Sequence, residues 1–258
     1  MVHAVAWADP HPPGTAVGAA SEVVRTILLS VVLRKIHGHG SRAVVDISRN
    51  QPGFAVAGDE NTVHPTVVIS GDVRIGSRNY LGPGTILQGP LTLGDDNWIA
   101  AAAIGMPPEH KEWYEGPRET TYGVTIGNRT VIREFVTIHS GHVETTRIGD
   151  ECFLMTKSHV GHDAVLATGV TVAPAAMIGG HAVIGRYANL GMNCVIHQRL
   201  TLGEVAMVGM NSTVTRDIPD FALAYGSPAR VHGANRVGLR HQGWTVEAIE
   251  TTDASFTQ

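Results

Sequence analysis

The sequence predicts an all-β solenoid, a parallel β-helix of hexapeptide repeats, with a short helical segment before it and a short α-helical cap after it. Three observations carry that expectation. An aliphatic residue recurs every six positions along most of the chain, and glycine often stands directly after it. Aromatic residues make up only 5% of a chain that holds 30 glycines. Small side chains at tight corners suit a stack of short strands better than a core built on rings.

From Val63 the aliphatic positions run Val63, Ile69, Ile75, Leu81, Leu87, Leu93 and Ile99. The phase is lost across residues 100–125, resumes at Ile126, Ile132 and Ile138, pauses for four extra residues and restarts at Ile148. From Ile148 it holds for twelve consecutive positions, ending at Val214. A period of six matches neither the helix nor simple strand alternation. It fits a short strand and a corner, with the aliphatic residue pointing inward and coils stacked about 4.8 Å apart. The glycine in Ile75-Gly76, Ile148-Gly149 and Ile184-Gly185 is expected to supply corner backbone angles that other residues resist.

The elements follow in order. Residues 1–60 form an N-terminal extension, in which residues 19–37 (AASEVVRTILLSVVLRKIH) read as a short helix. Residues 61–218 form the β-helix, interrupted by a loop at 105–123 that carries two prolines, Trp113, Tyr114 and several charges. Long loops on rigid scaffolds are often lids or binding arms. Residues 219–258 form a helical cap and tail, with one or two short helices over Asn235–Glu250 closing the solenoid end.

Composition narrows the function. At 258 residues and 43% hydrophobic content the chain can bury a sizeable core, and its formal charge of −4 argues against nucleic-acid binding. The most apolar stretch, TILLSVVL from Thr26, is far shorter than the roughly 20 residues of a membrane span. The N-terminus has Asp9 and three early prolines and lacks the charged start of a signal peptide, so a cytoplasmic protein is expected. Cys152 and Cys194 are far apart, without metal-type spacing, and read as buried reduced thiols.

The strongest chemical cluster is Lys157-Ser158-His159-Val160-Gly161-His162-Asp163. A histidine beside a carboxylate can take a proton from a hydroxyl or amine as it attacks a thioester. His162 is expected to be the general base, and Asp163 to orient it. Three hexads make one coil, so residues 18 apart share a face: one coil on, His162 meets Gly180, then Gln198. The backbone N–H of Gly180 is a candidate donor to the developing oxyanion.

Four stretches carry a resemblance: IREFVTIHSG at 132–141, LMTKSHVGHD at 154–163, VIHQ at 195–198 and GSPARVHGANRVGLRHQGW at 226–244. Through them the chain from about Val63 to Trp244 resembles the bacterial UDP-N-acetylglucosamine O-acyltransferase family, which begins lipid A synthesis. The resemblance implies a left-handed β-helix and a homotrimer with active sites between subunits. It implies acyl carrier protein as donor, with an acyl-CoA thioester as the other candidate, a small-molecule acceptor, no tightly bound cofactor and no metal. It implies His162 as general base assisted by Asp163, and His159 in the acyl or substrate pocket. His181 falls where the family supports acyl transfer, and Gln198 and Asn235 where it contacts the nucleotide. Trp113-Tyr114 stand at the family's lysine-tyrosine pair. Val237 replaces an acidic residue, and His241 and Gln242 replace two basic ones. Phosphate contacts favour arginine or lysine, so these changes point to an acceptor other than the family's own.

Three alternatives share the scaffold. An acetyl-CoA-dependent sugar-nucleotide N-acetyltransferase differs in its donor. A non-catalytic scaffold would not need the intact His162-Asp163 pair. A zinc enzyme resembling the γ-carbonic anhydrases calls for a histidine where Ala167 stands, short of the three ligands a catalytic zinc requires. The other histidines, among them His139, His142, His197 and His232, lack a repeated ligand spacing and read as surface or interface residues.

Overall fold

The computed structural model describes residues 54–56, 58–117 and 122–256. The helix expected at 19–37 lies outside them. The described chain is a left-handed parallel β-helix whose strands fall into three sheets of eight, ten and eight strands. Successive strands belong to different sheets, and each pairs with the strand one coil away, as Val160 pairs with Ile178 and Ile178 with Ile196. The first strand, Phe54–Val56, pairs with Val73–Ile75, so coiling starts ahead of the boundary expected at residue 61.

The hexad residues fill the interior. Leu81, Leu87, Ile99, Ile132, Ile138, Leu154, Val160 and Ile178 are all completely buried. Four positions after the aliphatic residue a second side chain points inward, often a small one, as at Cys152, Ala164, Ala176, Ala188, Cys194 and Ala206, and in places a larger one, as at Val73, Leu91 and Val170. Among the described residues no aromatic side chain is fully buried, which fits the scarcity of rings in the sequence. Both cysteines serve as such fillers and are free thiols. Burial pushes Cys152 up to about 11 and Cys194 up to about 12, so neither is a nucleophile at neutral pH.

Two expectations are corrected here. The phase is not lost at residue 100: Ile104 is fully buried and pairs between Leu87 and Ile138. It follows Ile99 by five residues rather than six, which hides it from a strict period. The glycine after the aliphatic residue is also not the left-handed corner residue. That conformation falls two positions later, on residues such as Glu151, Lys157, Asp163, His181 and Asn193, with φ near +60°. A left-handed non-glycine residue costs about 1–2 kcal/mol. Here coil stacking fixes it, for the Lys157 and His181 N–H groups donate to the carbonyls of Glu134 and His162 on the previous coil. The glycines are needed for close approach instead. A Cβ at Gly185 would lie 2.5 Å from the Gly203 carbonyl carbon, and one at Gly149 would lie 2.8 Å from that of Ala167.

In the first coils the small interior position is polar. Asn61, Asn79 and Asn97 form a buried ladder in which each side-chain oxygen accepts the backbone N–H one coil on, ending at Thr130 (2.8, 2.9 and 2.8 Å). The other end closes with a hairpin, Ala222–Gly226 against Ala229–Ala234, whose first strand extends the ten-stranded sheet. After helix α1 (Lys111–Glu115) in the 105–123 loop, α2 (Arg236–His241) and α3 (Val246–Ser255) follow the hairpin. They bury Leu239 and Ile249 against Val205 and Ala234.

Candidate active site

His162 sits at the corner between the strands His159–Val160 and Val165–Leu166, which belong to different sheets. Its Nδ1 lies 2.5 Å from Asp163 Oδ2. Asp163 occupies the left-handed position of that corner, with φ +60°, which turns the carboxylate back toward the preceding imidazole. The carboxylate is wholly buried. Its Oδ1 accepts three backbone N–H bonds, from His142, Val143 and Glu144 at 3.0, 2.9 and 2.7 Å. The Asp163 N–H in turn donates to Thr146 Oγ1 at 2.8 Å. Burial by itself would raise the Asp163 carboxyl; the hydrogen bonds from His162 and from the three backbone groups outweigh it and hold the group below the usual carboxylate range.

The three donors come from the four-residue pause between Ile138 and Ile148. That interruption of the repeat is the cradle of the carboxylate. The larger interruption also reaches the site. In the 105–123 loop, the His110 ring stacks on His142 at 4.4 Å between centroids and meets His162 edge-on at 5.4 Å. His139 and His142, expected at the surface or an interface, belong to this cluster. His139 Nδ1 lies 2.6 Å from the Pro107 carbonyl, and its Nε2 and that of His159 face Glu109 at 3.9 and 3.7 Å. His159 Nδ1 is 2.9 Å from Thr137 Oγ1, and burial lowers its pKa. Trp113, on α1, meets Tyr114 edge-on. Among the described residues neither Trp113 Nε1 nor His110 Nδ1 has a hydrogen-bond partner.

The expected register is present. A Cβ on Gly180 would lie 2.8 Å from His162 Nε2, so only glycine leaves that nitrogen unobstructed. His181 Nε2 lies 3.5 Å from Asp163 Oδ2, and burial lowers the His181 pKa. Gln198 is exposed one coil further on. Thus His162, Asp163, Gly180 and His181 gather at one corner, with His159 beside them on the adjoining sheet.

Asn235 is elsewhere. It caps α2 by accepting the Gly238 N–H at 3.0 Å and donates to the Val205 carbonyl at 2.7 Å. With Tyr187, Asn189, Met207, His241 and Gln242 it lines a cavity of about 600 Å³ on the ten-stranded sheet. His162 stands at the corner between the other two sheets, across the solenoid from that cavity. Within one chain the two regions do not meet.

Residues 217–257 match the model of the second domain of the UDP-N-acetylglucosamine O-acyltransferases. The chain is 35% identical over 158 residues to the acyl-(acyl-carrier-protein)–UDP-N-acetylglucosamine O-acyltransferase of Burkholderia orbicola, covering 60% of this chain and 59% of that protein. It thus spans about three-fifths of the length of the curated relatives it matches. Among solved structures it resembles the UDP-N-acetylglucosamine acyltransferase of Campylobacter jejuni, with a TM-score of 0.72 at 29% identity, covering 80% of this chain and 82% of that one. It also resembles the corresponding enzyme of Bacteroides fragilis, with a TM-score of 0.76 at 28% identity and 83% of each chain covered. The resemblance read from the motifs is borne out along most of the solenoid and through the cap.

Proposed function

Because this chain resembles the UDP-N-acetylglucosamine O-acyltransferases in sequence and in fold, we propose that it is an acyltransferase. It moves an acyl group from a thioester, on an acyl carrier protein or on coenzyme A, to a hydroxyl or amine of a sugar nucleotide or related small molecule. The observation that carries this reading is the His162–Asp163 pair, with the carboxylate locked by three backbone donors and Nε2 left facing Gly180.

The chemistry follows from that geometry. Asp163 fixes the imidazole with its proton on Nδ1, leaving the Nε2 lone pair for the acceptor. Nε2 removes the acceptor proton as the oxygen or nitrogen attacks the thioester carbonyl, and Asp163 stabilises the imidazolium. The tetrahedral oxyanion needs a donor. The Gly180 N–H, beside His162 and without a hydrogen bond among the described residues, supports that role. Collapse expels the thiolate, which takes the proton back from Nε2. His181 sits against the same carboxylate and supports the transfer. His159, Gln198, Trp113 and Tyr114 contribute to the substrate pocket.

Asn235 enters as a contact to the nucleotide, in the cavity on the opposite face. That placement supports a homotrimer in which one chain offers its His162 corner and its neighbour offers the Asn235 cavity. Val237, His241 and Gln242 supply no arginine or lysine there, and the one arginine of the lining, Arg236, is paired with Asp253, which favours an acceptor less dependent on phosphate contacts. Among the described residues no helix is long and apolar enough to cross a membrane; we place the reaction in the cytoplasm with a soluble donor.

Thiol release from acyl carrier protein and CoA donors, measured against UDP-sugars and amino sugars, tests the reading. Acceptor-dependent release should fall about 10²–10⁴-fold in His162→Ala. Undiminished turnover in that variant would leave the fold standing and overturn the mechanism.

A further inference from the structure

The insertion loop faces the solenoid with a carboxylate opposite two histidines, at distances too long for hydrogen bonds. Glu109 Oε1 is 3.9 Å from His139 Nε2, and Oε2 is 3.7 Å from His159 Nε2. Both distances exceed a hydrogen bond. The three groups therefore look across a gap, with one ligand atom from each lying within 4.8 Å of the others.

The gap is somewhat wider than an occupied metal site. Ligand atoms bound at about 2.0–2.1 Å in tetrahedral geometry stand roughly 3.3 Å apart. From mutual distances within 4.8 Å, the three groups close on an ion by drawing together by up to about 1.5 Å, and Glu109, whose side chain is 65% exposed, can move to meet it. The histidines are already oriented. His139 Nδ1 is held by the Pro107 carbonyl at 2.6 Å, and His159 Nδ1 by Thr137 Oγ1 at 2.9 Å. The carbonyl can only accept, so it fixes the His139 proton on Nδ1 and leaves the Nε2 lone pair aimed at the gap. Metal-bound histidines ordinarily have such an oxygen behind them. The neighbouring trio of His110, Glu112 and His142 lies within the same mutual distance. Its two rings are stacked face to face, however, and among the described residues His110 Nδ1 has no partner to orient it.

We propose that Glu109, His139 and His159 bind a divalent transition-metal ion of the zinc class, which fastens the 105–117 loop to the solenoid beside His162. Two nitrogens and a carboxylate oxygen are the donor set that zinc and cobalt(II) favour, and they leave a fourth position for water. The proposal goes beyond the sequence reading, in which no metal is expected. The ligand set differs from the one the γ-carbonic anhydrase comparison required, and the inference stands independently of acyl transfer because its readout is metal binding.

The test uses the full chain freed of metal by a chelator and titrated calorimetrically with Zn²⁺, and with Co²⁺ for its visible spectrum. One ion per chain is expected, with Co²⁺ giving the absorption of a four- or five-coordinate nitrogen–oxygen site. Glu109→Gln and His139→Gln should each weaken binding at least tenfold, while His142→Gln leaves it within twofold. Glu109 is exposed, so its variant tests the site without endangering the fold. Absence of binding at 100 µM Zn²⁺, binding indifferent to Glu109→Gln and His139→Gln, or binding lost in His142→Gln instead would each overturn the proposal.

Discussion

Asp163 Oδ1 is committed to three backbone N–H donors, and only Oδ2 is left for His162. In Asp163→Asn the amide oxygen keeps those donors, so the –NH₂ group must face His162 Nδ1. It then donates to a nitrogen that should itself carry the proton, and the imidazole is pushed into the tautomer with Nε2 protonated. Turnover is expected to fall roughly a thousandfold with the circular dichroism spectrum unchanged, since the same groups remain paired. His181 gives a second prediction. Burial lowers its pKa, so the folded state binds fewer protons than the unfolded state below about pH 6.5. Its contribution to stability is therefore complete above that pH and is lost as pH falls through the folded value. Melting temperature should decline from pH 7 toward pH 5, and His181→Gln should flatten that decline. The His162-Asp163 pairing was legible from sequence because it is made of residue types. The cradle was not, since backbone donors can be built from any residues, and His142-Val143-Glu144 carry no distinctive pattern. Glu109 and His110 escaped notice for a related reason: a loop's side chains acquire neighbours only once its path is known.

The repeating strand–corner unit was visible in the sequence wherever its spacing stayed at six. It went unseen at Ile104, where one residue is missing, and the role of glycine was misread because period alone does not separate a corner from a close contact. The asparagine ladder shows what a unit gains from a polar interior position. Asn79 Oδ1 accepts from the backbone N–H and the side chain of Asn97, while Asn79 Nδ2 donates to the Gly94 carbonyl and to Asn61. Replacing Asn79 by Ala strips partners from both neighbours inside a closed coil. A loss of about 1–3 kcal/mol is expected, read as a lower denaturation midpoint, and a loss below about 0.5 kcal/mol would show that water substitutes for the ladder.

Across the whole molecule, the His162 corner is flanked by outward-facing apolar residues: Met177 and Val195 on one sheet and Val183 on the other, each 41–45% exposed. Together with the Asn235 cavity on the opposite face, they fit a closed ring of three chains, each corner lying against a neighbour's sheet. Light scattering should report three times the 27.4 kDa chain mass. Val195→Asp should shift the population toward monomer and abolish transfer while leaving the β-helix spectrum intact. A wild-type monomer with full activity would remove the shared site. Asn235, proposed as a nucleotide contact, was singled out by its motif, but sequence offered no sign that it lies across the solenoid from His162, because two residues 73 positions apart carry no record of which face each coil presents.

The two insertions into the six-residue rhythm, the long loop after Ile104 and the short one after Ile138, reach the same histidine. The coils supply rigidity and the irregularities supply chemistry, so the two can change by separate genetic events. Adding or deleting a whole coil away from them lengthens the molecule and preserves its reactivity. Rewriting the exposed loop codons, such as those of Glu109, Glu112 and Val143, alters what the corner presents without disturbing the stacked coils. A lineage built on such a chain can diversify its substrates while its scaffold drifts slowly, and homologues should differ most in loop length and least in coil register.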